Sequence, residues 1–240
     1  MVNTKKNVLL IGASGGIGKE LVKIFDLENS NLICHYHSCK SGLELIPSSH
    51  IFKADITVES DVIAMIQSVQ DSFGKIDVLI NAAGVSISSM SWKTKAEDWE
   101  KTIGINLTGP FFCIREVLPG MRSNNFGRII NLSSVVGQTG VAGTAAYAAS
   151  KSGLFGMVKA ISAEMGEKNI TVNNIALGYF NQGMIHQVPT TMVNEIIKSI
   201  PKNKLGEVQQ LADCIEYLMK ESSSYITGQT INLNGGMFGN

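Results

Sequence analysis

Cysteine and proline are scarce in this 240-residue sequence, with four and five residues respectively, and neither sign of charge dominates. Twenty acidic and twenty basic side chains cancel, so no net field favours nucleic acid or an anionic membrane surface. No stretch approaches the roughly 18 consecutive apolar residues that a membrane helix requires. The apolar run near the N-terminus is also too short for a secretory signal, so we expect an intracellular, cytoplasmic protein.

Two of the cysteines lie in a segment that superficially suggests a metal site. Cys34 and Cys39 flank His35 and His37 near the end of a predicted strand. The segment offers a single Cys-x4-Cys pair, whereas structural zinc sites usually combine two such pairs. We therefore predict no bound metal and expect all four cysteines to be reduced thiols.

Short apolar runs alternate with helical patterns along the whole chain. The first run, NVLLI, is continuous, as expected of a strand buried on both faces of a parallel sheet. Strands are predicted at 7–11, 31–36, 51–54, 76–80, 127–132, 170–177 and 229–233. Strands and helices alternating in this way predict an α/β fold, a doubly wound, Rossmann-type sheet of about seven strands in one domain over residues 1–240.

Helical periodicity follows most of the predicted strands. The first helix keeps its apolar spacing through Leu27, and Thr94 with Glu97 forms a potential capping box for a long helix that reaches Leu118. Further helices are predicted at 58–73, from about 147 to 165, and at 208–219. Residues 178–201 are less regular, with short helical stretches, and form the predicted substrate loop.

A glycine-rich turn separates the first strand from the first helix. Glycine at such a turn lets a phosphate approach the backbone, and the helix N-terminus offers free N–H groups and a partial positive charge. The predicted dinucleotide contacts in this turn are Gly12, Ser14, Gly15, Gly16, Ile17 and Gly18. The spacing is G-x-x-x-G-x-G, and by itself it leaves open a purely structural role for the glycines.

Tyr147 and Lys151 stand four residues apart on a predicted helix and therefore share one face. A phenol beside an ammonium is a potential proton donor with a neighbouring charge that tunes it. At about 4 Å and an effective dielectric near 20, the ammonium lowers the pKa of the phenol by up to about three units. Taken singly, Tyr147 suits a packed aromatic surface and Lys151 a solvated helix face.

Five motifs occur in a fixed order, and Ser134 lies thirteen residues before Tyr147. They are Gly12-x-x-x-Gly16-Ile-Gly18, Asn81-Ala-Ala-Gly84, Asn106, Ser134 and Tyr147-x-x-x-Lys151. In them the chain resembles the short-chain dehydrogenase/reductase family over essentially its whole length. The segments GRIINLSSVVG, AAYAASKSGL and YITGQTINLNGGM are similar to the 3-oxoacyl-thioester reductases of that family, acting on carrier-protein or CoA thioesters. The resemblance implies reduction of a 3-oxoacyl thioester by NADPH.

The resemblance also implies a role for each catalytic residue. Tyr147 would protonate the substrate oxygen, and Ser134 would hydrogen-bond it, although the neighbouring Ser133 leaves that assignment open. Lys151 would hold the nicotinamide ribose, and Asn106 would position a water that links Lys151 to solvent. The implied cofactor contacts beyond the turn are Asp55, Ile56, Asn81, Ala82, Ala83, Gly84, Tyr147, Lys151 and Gly178. Asp55 equally suits a helix cap and Asn81 a strand end.

The choice between NADP and NAD depends on the end of the second strand. NAD-specific proteins usually carry an acid there, and the segment CHYHSCK has none. His35, His37 and Ser38, with Lys40 nearby, are predicted to bind a 2′-phosphate, so NADP is favoured while NAD stays possible. Gly15 argues the other way, because many NADP-preferring members of the family carry a basic residue at that position.

Three positions depart from the family pattern. Ile11 replaces a threonine, which removes one hydroxyl bond inside the glycine turn. Leu177 replaces a proline, and Gln182 replaces a threonine that often contacts the nicotinamide carboxamide. None of the three belongs to the proton-transfer set, so we expect activity to survive.

Two other functions fit the same sequence: oxidoreduction of a sugar, polyol or other secondary alcohol, and a dinucleotide-binding regulator without catalysis. The family further implies a homotetramer, through apolar residues that equally suit the core: Ile103, Phe111, Phe112, Phe155 and Met157. Basic side chains near Arg128 and Lys168 are candidates for contact with an acidic acyl carrier protein, or are two solvated charges.

Overall fold

The computed structural model describes residues 5–25 and 30–239, so Leu27 of the first predicted helix lies outside the described residues. The strands are β1 Lys6–Ile11, β2 Ser30–Tyr36, β3 Ile51–Lys53, β4 Val78–Asn81, β5 Gly127–Ser134, β6 Ile170–Leu177 and β7 Thr230–Leu233. They form one sheet in the order β3-β2-β1-β4-β5-β6-β7. Each neighbouring pair is parallel, which confirms the predicted Rossmann-type α/β sheet.

Helices cover both faces of the sheet. They are α1 Gly16–Ile24, α2 Glu59–Phe73, α3 Ala96–Ile103, α4 Gly109–Asn124, α5 Val136–Thr139, α6 Ala145–Glu164, α7 Thr190–Ser199 and α8 Val208–Met219. Alternate residues of β1 face opposite sides: Val8 and Leu10 join the core under α1 and α8, while Leu9 and Ile11 join the core under α2, α4 and α6. No helix in the described part of the chain is long and apolar enough to cross a membrane.

The predicted capping box at Thr94 is wrong. The N-cap of α3 is Lys95, and no side chain caps this end of the helix. A 3-10 turn at Ser91–Lys93, which the sequence pattern did not predict, precedes it. The Thr94 hydroxyl donates back to the carbonyl of Met90 at 3.2 Å, so it is not available to the helix amides.

The long helix predicted from Thr94 to Leu118 is continuous but is not α-helical throughout. Between α3 and α4 the segment Gly104–Thr108 forms a π-helical turn. Such a turn inserts one extra residue into the helix and is frequent at functional sites. Here it contains Asn106, which is fully buried.

A ladder of asparagine side chains crosses the buried sheet. Asn81, Asn131 and Asn174 are register neighbours on β4, β5 and β6. The amide of Asn81 donates to the Asn131 carbonyl oxygen at 2.8 Å, and the amide of Asn131 donates to that of Asn174 at 3.2 Å. The amide of Asn174 in turn donates to the Leu154 carbonyl of α6 at 3.1 Å, so the ladder joins the sheet to a covering helix.

The strand order reverses between β1 and β4, because β2 and β3 lie on one side and β5 to β7 on the other. In open α/β sheets, ligands bind in the crevice beyond the carboxyl ends of the strands at such a reversal. The turn beginning at Gly12 follows β1, and the Ala82–Gly84 segment follows β4. The fold therefore brings the two predicted dinucleotide-binding segments to the walls of one crevice.

We expect Asn131→Ala to destabilise the protein by about 2–4 kcal/mol, because it leaves buried groups of Asn81 and Asn174 without partners, each costing about 1–3 kcal/mol. Urea unfolding followed by circular dichroism measures the change. The matched control is Asn194→Ala on the exposed face of α7, which is expected to stay within about 1 kcal/mol of the wild type. Equal effects of the two substitutions would show that the ladder contributes nothing.

Candidate active site

A cleft of about 920 Å³ lies between the glycine turn after β1 and the loop after β4. This volume is in the range usual for small-molecule sites. Twelve of the predicted cofactor contacts line it: Gly12, Ser14, Gly15, Gly16, Ile17, His35, His37, Asp55, Ile56, Ala82, Ala83 and Gly84. The structure thus brings most of the predicted dinucleotide residues to one cleft.

The glycine turn is shaped by close backbone contacts. Gly12 has a φ of 81°, and a Cβ there would lie 2.7 Å from the backbone of Ala83. A Cβ on Gly16 would overlap the backbone of Gly183 in the predicted substrate loop. The Gly15 amide donates to the Gly12 carbonyl at 3.0 Å, and α1 begins at the next residue. The first amides of α1 therefore open onto the cleft as an anion-binding helix terminus.

His35 at the end of β2 is buried and bonded through both ring nitrogens. Its Nδ1 accepts the Gly12 amide at 3.1 Å, and its Nε2 lies 3.1 Å from the Ala54 carbonyl oxygen. Burial lowers the pKa of this imidazole. No ring nitrogen is left for a phosphate, which corrects the predicted role of His35 as a 2′-phosphate ligand. His37, Ser38 and Lys40 are exposed.

Asp55 lies two residues beyond the end of β3 rather than on it. Its Oδ1 accepts from the Thr57 hydroxyl at 2.7 Å and from the Thr57 amide at 2.9 Å. These bonds, the hydroxyl first, lower the pKa of the carboxyl. Its Oδ2 faces His37 Nε2 at 3.5 Å, and the N-cap of α2 is Val58. One carboxylate oxygen therefore closes a local turn, and the other lies beside an exposed imidazole at the cleft edge.

Hydrogen bonds tie the helix that carries Tyr147 and Lys151 to the end of β5. Lys151 Nζ donates to the Leu132 carbonyl at 2.7 Å, and the Ser133 hydroxyl donates to the Lys151 carbonyl at 3.1 Å. The Ser134 side chain lies close to the phenol of Tyr147 and lowers its pKa. Ser133 therefore anchors α6, and Ser134 is the serine that meets the phenol.

Burial controls the protonation of this pair in the free protein. It lowers the pKa of Lys151 to about 8. It also raises the pKa of Tyr147, while the neighbouring Ser134 side chain lowers that pKa by a smaller amount. The expected lowering of the phenol pKa by Lys151 is absent here, because Nζ is bonded to Leu132 and lies 5.8 Å from the centre of the phenol ring.

Asn106 links the loop after β4 to the same helix. Its carboxamide accepts from the Val85 amide and donates to the Val85 carbonyl, both at 2.8 Å, and also donates to the Ser150 hydroxyl at 3.0 Å. A Cβ on Gly84 would lie 3.5 Å from both Asn106 Oδ1 and Lys151 Nζ. Gly84 therefore forms the boundary at which the cleft meets the proton-transfer residues.

Six predicted cofactor contacts do not line the cleft: Tyr147 and Lys151 of α6, and four others that have different surroundings. The side chain of Asn81 is bonded to Asn131 inside the sheet. Gly18 packs against the turn itself, and a Cβ on Gly178 would lie 2.7 Å from the Asn234 backbone. Ser38 is exposed beyond the cleft. Patterns of residue type cannot separate such packing roles from contact with a ligand.

Arg128 is fully buried, which corrects the prediction that it is exposed to a carrier protein or to solvent. Its guanidinium donates to the Gly127 and Asn169 carbonyls and pairs with Glu221 at 3.1 Å. It also lies near the start of β5, about 20 Å along the strand from Ser134. Lys168 is exposed at the same end of the sheet.

Sequence reasoning missed several residues of the cleft wall. Glu100, Lys101, Gly104 and Ile105 reach it from α3 and the π-helical turn, Val85 and Ile87 from the loop after β4, and Met184 and Gln187 from a 3-10 turn at Gly183–Gln187. Lys101 and Ile105 are four residues apart, a spacing that places two residues on the same face of a helix, so the sequence could have indicated that they lie together. The loop residues carried no such signal. No cluster of three or more metal-binding side chains occurs in the described part of the chain.

Replacing Lys151 by methionine is expected to stabilise the protein at neutral pH by about 1–3 kcal/mol, because a pKa lowered from 10.5 to about 8 reflects the cost of a buried charge. From about pH 8 to 10.5 the native amine is neutral while the unfolded one still binds a proton. In this range the free energy of unfolding of the wild type therefore increases with pH, while that of Lys151→Met does not. The difference in stability between the two proteins becomes smaller as the pH rises. Urea unfolding across this pH range tests it; a variant less stable at neutral pH would refute it.

Comparison with known proteins agrees with this geometry. A family model described as enoyl-(acyl carrier protein) reductase matches residues 12–238. A 3-oxoacyl-(acyl-carrier-protein) reductase of Staphylococcus epidermidis is 34% identical over 241 residues, which cover 97% of this chain and 99% of the relative. An acetoacetyl-CoA reductase of Rhizobium meliloti is 35% identical over 234 residues, covering 96% and 97%. This chain therefore belongs to the short-chain dehydrogenase/reductase family, and it is an oxidoreductase acting on a CH–OH/C=O pair.

Proposed function

We propose that the protein reduces a 3-oxoacyl thioester, bound to CoA or to a carrier protein, to the 3-hydroxyacyl thioester with NADPH. The observation that carries this proposal is the placement of Tyr147, next to Ser134, on the helix whose Lys151 reaches the boundary of the dinucleotide cleft. The names of the relatives, a 3-oxoacyl-carrier-protein reductase and an acetoacetyl-CoA reductase, support the thioester class.

The glycine turn lines the cleft, and the lack of side chains at Gly12 and Gly16 lets it pack against the backbone of Ala83 and Gly183. The first amides of α1 would hold the pyrophosphate, and Ala82 to Gly84 would lie along the adenosine side. When bound, a reduced nicotinamide supplies the hydride that the carbonyl carbon requires.

Tyr147 would donate its proton to the carbonyl oxygen, and Ser134 would donate a hydrogen bond to the same oxygen as charge develops there. Lys151, with a pKa near 8, is largely an ammonium at neutral pH. Rotation of its Nζ from the Leu132 carbonyl towards a bound ribose would place that charge nearer the phenol and favour the phenolate left after proton transfer. Asn106 holds Val85 and Ser150 in place around this group and would position the water for its reprotonation.

Residues 178–201 would cover the substrate. In the structure this segment contains a 3-10 turn at Gly183–Gln187 and helix α7, and Gly183 packs on the glycine turn. Ile87, Ile105 and Met184 give the cleft an apolar lining suited to an acyl chain. Tyr179 lies near the phenol of Tyr147 and adds one polar group, which is the observation that favours a hydroxylated ketone as the alternative substrate.

NADP is proposed over NAD because the end of β2 carries no acid. With His35 engaged in the fold, the remaining candidates for a 2′-phosphate are His37, Ser38 and Lys40, which are exposed beside the cleft. The carboxylate of Asp55 next to His37 is the feature that opposes this choice.

We also propose a homotetramer: Phe111 is exposed on α4, while Phe112 and Met157 are partly buried against the core. Light scattering tests the oligomer.

Tyr147→Phe is expected to lower kcat by about 100- to 10,000-fold, because it removes the general acid and leaves the ring in place. Steady-state kinetics with acetoacetyl-CoA measure the loss, and calorimetry checks that NADPH still binds. The matched control is Tyr225→Phe, at a fully exposed tyrosine, which is expected to retain wild-type kcat. Full activity in Tyr147→Phe would remove this residue from the mechanism.

A substrate panel with NADPH and NADH tests the function itself. We expect the highest kcat/KM for 3-oxoacyl thioesters with NADPH, with CoA and carrier-bound forms compared directly. Enoyl thioesters, sugars and steroid ketones complete the panel, since the matched family model is described as an enoyl reductase. Preference for any of these over both thioesters would refute the proposal. Dinucleotide binding without any turnover would favour the regulator hypothesis.

A further inference from the structure

His35 connects three parts of the cofactor cleft. Its ring accepts the Gly12 amide, its ring also bonds the Ala54 carbonyl after β3, and its own carbonyl accepts the Ala13 amide at 2.9 Å. Only 2% of the residue is exposed. The glycine turn is therefore fastened to the end of β2 by two consecutive amides, one held by the His35 side chain and one by its backbone.

The partners of the imidazole determine where its proton lies. An amide N–H can only donate and a carbonyl oxygen can only accept, so Nδ1 is unprotonated and the proton is on Nε2. A second proton would have to go on Nδ1, where it would point at the Gly12 N–H. The observed arrangement of the turn requires the neutral ring.

We propose that His35 is a positioning residue for the dinucleotide: its neutral imidazole holds the glycine turn in the shape that receives the pyrophosphate, and protonation releases the turn. The inference rests on the dinucleotide site of the proposed function. It assigns His35 no contact with the cofactor.

The neighbouring sequence explains why the turn needs this bond. Ile11, directly before Gly12, is buried in the apolar core and offers no hydroxyl to the turn. The His35 ring instead supplies a side-chain hydrogen bond to the amide of the next residue, Gly12. We expect the glycine turn of this chain to depend on His35 for that reason.

Two other titratable groups act on the ring. His37, on the same strand end, disfavours its protonation, and Asp55, after β3, favours it; both effects are smaller than that of burial. Asp61 of α2 accepts the Asp55 amide and is one step further away, and Lys53, the last residue of β3, is exposed. The turn and the adjoining end of β1 present backbone and apolar groups to the ring.

The sign of the pH effect follows from these contacts. Burial lowers the pKa of His35 below the usual 6.5, so the native ring is neutral at neutral pH and the unfolded ring takes up a proton first as the pH falls. The bond from the Gly12 amide to Nδ1, which we call the clamp, is therefore complete at and above about pH 6.5 and is lost only when the pH falls below the lowered pKa of the native ring. Dinucleotide affinity should fall in the same direction.

Two substitutions separate the two ring bonds. His35→Asn places an amide oxygen near Nδ1, which keeps an acceptor for Gly12 without a titrating group. His35→Gln places an amide N–H near Nε2, which keeps the donor to Ala54 and lacks the Gly12 acceptor. His50→Gln is the control, because it removes an imidazole that lies outside the cleft and leaves both ring bonds of His35 intact.

Calorimetric dissociation constants for NADPH and NADH at about pH 7 and about pH 5.5, where Lys151 is largely protonated at both, test the proposal. Both cofactors are needed because a phosphate monoester itself titrates near pH 6. For NADH, the wild type and His50→Gln should bind more weakly at the lower pH, by less than about tenfold, because the pKa of the free His35 ring lies below 6.5. His35→Asn should bind equally at both values. His35→Gln should bind about tenfold more weakly at both.

Equal behaviour of His35→Asn and His35→Gln, or a fall in NADH affinity at the lower pH that is as large in His35→Asn as in the wild type, would overturn the inference and leave the proposed function standing. Failure of the wild type to bind either dinucleotide would overturn both. Long-range ¹H–¹⁵N spectra of the free wild-type protein give a second readout that needs no variant. They should show the Nε2–H tautomer of His35, and an Nδ1–H ring would overturn the clamp.

Discussion

The hydrogen bonds between α6 and the end of β5 are the interaction on which the site depends. Lys151 Nζ bonds the Leu132 carbonyl, and the Ser133 hydroxyl bonds the Lys151 carbonyl, so the helix is fixed in both position and rotation. Asn174 adds a third bond, to Leu154 one turn further on. Because these bonds are buried, leaving any of them unmade is costly, and the phenol of Tyr147 is held against Ser134.

The same burial that fixes the helix makes the site costly for the fold. Lys151 is buried, so keeping its ammonium charged at neutral pH lowers the free energy of unfolding of the protein. In the free protein the lysine bonds a main-chain carbonyl, and a bound ribose would offer it new acceptors. The active site is thus a place where stability is lower than the fold would otherwise allow, as is common where buried charge serves catalysis.

Local patterns predicted the sheet, the glycine turn and the proton-transfer residues, since each is written in neighbouring positions. The continuous apolar run of β1 reflects burial on both faces, and the four-residue spacing of Tyr147 and Lys151 reflects one helix face. The roles of His35 and Arg128 were wrong in the prediction because charge and residue type do not reveal burial. Only the packing of β3 beside β2, and of Glu221 beside β5, shows that both side chains are already bonded.

By itself the sequence determined the order of strands and helices, the family, and the residues available for proton transfer, because hydrophobic period and motif spacing are local properties of the chain. The tertiary structure alone decided which serine meets Tyr147, how the π-helical turn presents Asn106, and that the pKa of Lys151 is lowered. Each of these depends on contacts between residues far apart in sequence. Burial and hydrogen-bond geometry arise only when the sheet and its helices are packed together.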